Sequence, residues 1–108
     1  SDAVQQWLAH SLGILRGWKA QQLALCARLG WQVVPGHQAN YLVARVPAGE
    51  GGAALPERLA ALRQHGVKLR DCTSFGLPGH VRLGVLPPLS QAALERAWND
   101  LGTGAHHG

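Results

Sequence analysis

The chain has 108 residues, 46% of them apolar and 15% charged, the balance of one folded domain rather than a disordered segment or a pair of cores. No apolar run reaches the roughly 18 residues that span a bilayer, and no secretory leader pattern opens the sequence, so no membrane partner is expected. The net charge of +4 is compatible with a polyanion, but the ten Lys and Arg residues are scattered, with no basic run and no interleaved aromatic platform, which argues against nucleic acid.

In chain order, Ser1 is a candidate N-cap for a helix whose apolar stripe runs through Val4, Trp7, Leu8, Leu12, Leu15 and Trp18. The period continues through Leu23, Cys26 and Leu29 to a stop at Gly30. Gly13 and Gly17 interrupt it, so the segment is either one long, bent helix or two helices meeting near Gly13. A single helix of about 27 residues would be about 40 Å long, more than a domain of this size covers. Its N-terminal half is therefore expected to pack on something outside this chain.

Residues 31–35 read as a short strand closed by the Pro35-Gly36 turn, and 40–46 as an apolar strand buried on both faces or nearly so. A flexible loop, 47–52, leads to a helix marked by Leu55, Leu59 and Leu62, with Pro56 in its first turn and Gly66 at its end. Strands over 67–70 and 80–86 flank a loop rich in hydroxyls, glycines and proline. In the second of them Val81, Leu83 and Val85 share one face, and Arg82 and Gly84 the other. Pro87-Pro88 breaks that strand, and Ser90 is a candidate N-cap for a last helix carrying Ala93, Leu94, Ala97, Trp98 and Leu101. The expected fold is α+β: a small mixed or antiparallel sheet of about four short strands covered by helices, with a long N-terminal helix. Residues 1–30 form the connecting helix, 31–101 the domain, and 102–108 a mobile tail whose His106 and His107 mark a disordered end rather than a metal site.

Arg82 is the sharpest candidate for chemistry. A guanidinium on a strand beside a glycine of the same face presents a planar fork to a carboxylate or phosphate. The alternatives are a solvated surface arginine or an ion pair with Asp71. Arg70 gains weight from the shaped loop that follows it, 71–79, which is of the kind that lines a pocket. No catalytic residue is assigned. Cys72 has no evident base partner, and Cys26 and Cys72 read as reduced thiols of a cytoplasmic protein. His37, His65 and His80 are too dispersed for a metal, and neither Lys19 nor Lys68 stands in a Schiff-base context. On residues alone, a stand-alone, non-catalytic module that binds a small anion or a protein partner remains open.

Three stretches resemble one family in the right order. Residues 35–45, PGHQANYLVAR, are similar to the PS-x-ANF-L-x-R strand of fold-type-I aminotransferases that use pyridoxal 5′-phosphate. Residues 62–72, LRQHGVKLRDC, resemble their L-x-x-x-GV-x-VRDC segment, and 77–85, LPGHVRLGV, the following LP-x-x-x-RI-x-V strand. The pattern is most similar to histidinol-phosphate aminotransferase and to the threonine-phosphate decarboxylase of the cobalamin pathway, and covers about residues 7 to 101. It implies the C-terminal small domain of such an enzyme, in amino-acid or cobalamin biosynthesis, reached by a long helix from a large domain missing here. It also implies a homodimeric parent and a small, anionic, amino-acid-like substrate. By the same resemblance Arg82 binds the substrate α-carboxylate and Arg70 its phosphate or second anion. The cofactor's lysine, its aspartate and its phosphate cup belong to the large domain. This chain alone is therefore expected to bind no cofactor and to be inactive. Gly36-His37 stands where the family often has serine.

Overall fold

The computed structural model describes residues 1–36, 40–49 and 54–107, with side chains through 102. His37, most of the glycine-rich part of the 47–52 loop, and the His106 and His107 side chains lie outside the described residues.

The first segment forms one helix, α1 (Asp2–Arg28), continuous through Gly13 and Gly17. Ser1 Oγ accepts the Val4 N–H at 3.4 Å, and Asp2 in the first turn and Arg28 in the last complement the helix dipole. At the other end Gly30 takes φ +75°. Its N–H donates to Ala27 O (3.2 Å) and that of Trp31 to Cys26 O (2.9 Å), the paired bonds of a Schellman stop. The same device ends α2 (Leu55–Gln64), where Gly66 at φ +81° donates to Arg63 O and Val67 to Leu62 O. Each glycine turns the chain back towards the sheet.

Four strands, β1 (Gln32–Val33), β2 (Tyr41–Arg45), β3 (Arg70–Asp71) and β4 (His80–Gly84), form one sheet in the order β1-β2-β4-β3. Every neighbouring pair is antiparallel. The fold is thus α+β, with the antiparallel form of the two sheets expected. A single 3₁₀ turn, Thr73–Phe75, sits in the β3–β4 connection. The last helix, α3, spans Pro88–His107. It begins earlier than the Ser90 cap implied, because Pro88 opens it: proline's fixed φ suits a first helical position, where a missing N–H leaves no bond unmade. Its backbone stays helical past Leu101, where the apolar pattern ends.

All three helices pack on one face of the sheet. Leu25 and Cys26 of α1, Leu59 and Leu62 of α2, and Leu94, Ala97 and Trp98 of α3 meet Leu42, Ala44, Val81 and Leu83 in a single core. Trp31 closes one end of it, edge-on to Trp98 with ring centroids 5.0 Å apart, and the Arg58 guanidinium covers the Trp98 ring at 3.9 Å. β2 departs from expectation here. Only Leu42 and Ala44 are buried, whereas Tyr41 and Val43 are half-buried and Arg45 is exposed, since among the described residues no layer covers the second face.

Candidate functional site: an open sheet face with paired arginines

Directly opposite residues of an antiparallel pair share a face, so the register fixes what the uncovered side presents. Arg70 on β3, Arg82 on β4 and Val43 on β2 form one row across it. Arg45 and His80 form the next row with Gln32, and Tyr41 faces Gly84 in a third. Arg70 and Arg82 are both exposed, and their positions exchange backbone hydrogen bonds, which sets their Cα atoms about 5.5 Å apart.

Like charges directly opposed across two strands are destabilising. No described carboxylate relieves this pair, and the described open face carries three arginines and no acid. Asp71, the partner that could have neutralised Arg82, is committed elsewhere. Its Oδ1 accepts the Thr73 N–H at 2.9 Å and the Thr73 hydroxyl at 2.6 Å, and these bonds hold its carboxyl below the usual range. Aromatic rings flank each guanidinium instead. Arg82 lies 5.3 Å from the Tyr41 centroid and Arg70 5.3 Å from that of Phe75, within the reach of cation–π attraction. A ring orients a guanidinium without occupying its N–H fork, so both forks stay available for a planar anion. Gly84 leaves open surface beside Arg82: a Cβ built there would meet only Asn40 O, at 3.9 Å.

The loop after Arg70 lines a cleft of about 540 Å³, but at the other end of the face. Gly76, Leu77 and Pro78 line it together with Arg45, His80 and Gln32, whereas Arg70 and Arg82 stand outside it on open surface. His80 Nδ1 donates to Pro78 O at 2.9 Å, which fixes the ring against the loop. Arg45 and His80 were not legible as site residues, because their place beside Arg82 depends on the β2–β4 register. Cys72 is buried, and burial pushes its thiol up despite the opposing pull of Arg82 and Arg70. Cys26 is pushed up to about 11 by the same cause. Both are free thiols poorly suited to nucleophilic work.

Among the described residues no group of three His, Cys, Asp or Glu could hold a metal, and no helix is long and apolar enough to cross a membrane. The open face does not fit pyridoxal phosphate by itself. It offers no carboxylate for a pyridine nitrogen, Lys19 is half-buried on α1 and already engaged, and Lys68 precedes β3 outside the ladder.

No protein-family model matches the sequence, and no curated protein matches it. Two solved structures share the fold. One is a protein of Burkholderia pseudomallei assigned as an aminotransferase, with TM-score 0.68 and 23% identity over 94% of this chain and 29% of that one. The other is the histidinol-phosphate aminotransferase of Clostridium acetobutylicum, with TM-score 0.75 and 17% identity over 93% of this chain and 30% of that one. The chain therefore spans about 30% of the length of the aminotransferase chains it resembles, and what it shares with them is the small α+β fold described above.

Proposed function

We propose that the chain is the substrate-anchoring small domain of a pyridoxal-phosphate-dependent aminotransferase, or a related decarboxylase, acting on an amino acid or amino-phosphate. The observation that carries this reading is the Arg70–Arg82 pair, directly opposed on an open face without a described carboxylate. The fold similarity and the three sequence stretches support it. Arg82, central on the longer strand and flanked by the bare surface at Gly84, takes the α-carboxylate. Arg70, on the edge strand, takes the phosphate or second anion. Two forks held by one ladder row fix both ends of a short dianion, which is catalysis by orientation. The cofactor and its lysine belong to the part of the enzyme that lies outside this third. So does the surface that covers the apolar half of α1, and the whole enzyme is a homodimer.

Amide NMR of the ¹⁵N-labelled chain titrated with O-phosphothreonine tests the reading. Saturable shifts at Arg70, Arg82 and Gly84 are expected at millimolar ligand, weakening as salt rises and at least about tenfold weaker in Arg82→Ala, the loss of one charge-assisted bidentate contact. Absence of shifts at Arg82, or equal affinity in the variant, overturns the assignment. Pyridoxal phosphate mixed with the chain is expected to keep the absorbance of the free aldehyde.

A further inference from the structure

β4 is longer than its neighbour β3, and the extra length is held by a side chain. In the ladder Cys72 N–H donates to His80 O, while Val46 N–H donates to Gly79 O. By the alternation of an antiparallel pair, the even-numbered residues of β4 therefore turn their backbone groups towards β3. Gly84 and Leu86 face the place where a longer β3 would run, yet β3 pairs only over Arg70–Asp71. Gln22, fully buried on α1, fills that place. Its Nε2 donates to Gly84 O at 2.9 Å and its Oε1 accepts the Leu86 N–H at 2.7 Å. The side-chain amide thus stands in for the peptide group of a missing strand.

Gln91, also a polar side chain buried among the described residues, completes the junction. Its Nε2 donates to Leu86 O at 2.8 Å and to Trp18 O at 2.9 Å, tying the β4 exit to α1 a second time. An apolar residue at 22 would satisfy helix propensity and burial equally well. Only an amide supplies a donor and an acceptor together to these two backbone groups.

We infer that Gln22 is a positioning residue for the anion site: it sets where β4 leaves the sheet, and so the place of Arg82 relative to α1. The inference rests on reading Arg82 as an anion anchor. Gly84 and Arg82 share a face two residues apart, so a strand exit released at Gly84 moves the guanidinium while leaving the helical core in place.

The test compares the chain with Gln22→Leu, Gln22→Glu and a control, Leu94→Ala, which weakens the core without removing any hydrogen bond of the clasp. Fold retention is read from amide dispersion, and affinity from the O-phosphothreonine titration. Gln22→Leu is expected to raise the dissociation constant at least tenfold, shift the Arg82 Nε–H resonance without ligand and speed exchange of the Leu86 amide. Gln22→Glu keeps the acceptor for Leu86 and loses the donor to Gly84, so it serves if the leucine variant does not fold, and its loss is expected to be smaller. Leu94→Ala is expected to keep the parental affinity. Folded Gln22 variants with parental affinity and an unmoved Arg82 resonance overturn the inference while leaving the anion site standing, as does an equal loss in Leu94→Ala. A parental chain that binds no ligand at Arg82 overturns both.

Discussion

Arg70 and Arg82 carry the strongest claim to function because they are badly placed for stability. A ladder row that sets two guanidinium groups opposite each other stores repulsion of a few tenths of a kcal/mol to about 1 kcal/mol, and Asp71 is bonded to Thr73 rather than to either of them. Gly84 separates the two explanations of such a pair. A methyl group there makes only ordinary contact with Asn40 O at 3.9 Å, and the backbone of Gly84 is not in the left-handed region. Gly84→Ala is therefore expected to unfold at nearly the parental urea midpoint while binding O-phosphothreonine several-fold more weakly, since the methyl group fills the surface beside Arg82. Unchanged binding in this variant would show that the ligand does not approach over Gly84.

At the scale of elements, the two Schellman stops decide where helices give way to strands. Gly66 is the cleaner of them to test: a Cβ there meets nothing within 4 Å, so substitution changes backbone conformation alone. Gly66→Ala is expected to lower unfolding free energy by about 1–2 kcal/mol, the cost of a left-handed L-residue, with the denaturant slope unchanged. A loss near zero would mean that the α2 end relaxes out of this turn. Both stops were legible in the sequence, since a glycine after an apolar helical stripe has one common use. The Val81–Leu83 face and the Arg82–Gly84 face were equally legible from alternation. Strand ends were not. The expected strands 67–70 and 80–86 reduce to Arg70–Asp71 and His80–Gly84 because a glutamine from a helix far along the chain takes over the ladder beyond them. The helical period sets Gln22 on the stripe with Trp18 and Cys26, but nothing in local sequence says that its amide meets a strand. Likewise the second face of β2 read as buried from its apolar composition, whereas the described residues cover one side of the sheet.

At the scale of the whole molecule, α1 is out of proportion to the body it serves. The molecule measures 57 × 30 × 21 Å, and its radius of gyration of 15.6 Å exceeds the roughly 13 Å of a compact domain this long. Val4, Trp7, Leu8, Leu12 and Leu15 are all exposed, Trp7 by 68%. An apolar stripe of this kind seeks cover. In isolation the chain is expected to self-associate as concentration rises, seen as an increasing sedimentation coefficient, and Trp7→Glu combined with Leu8→Glu is expected to restore the monomer. A parental chain that sediments as a monomer at every concentration would show that the stripe is tolerated in water.

The same helix has a mechanical reading. α1 is anchored from Trp18 onward, by its carbonyl, by Gln22 and by the core contacts of Leu25 and Cys26. The helix from Asp2 up to that anchor projects about 24 Å at 1.5 Å per residue, while Gln22 lies only about 6 Å beyond it. The helix is thus a lever with arms of about four to one. A displacement of about 2 Å at the free tip becomes about 0.5 Å at the Gln22 amide, which takes the 2.7 Å bond to Leu86 to the long end of good geometry. If Gln22 places Arg82, a grip on the far end of α1 is felt at the strand that bears it.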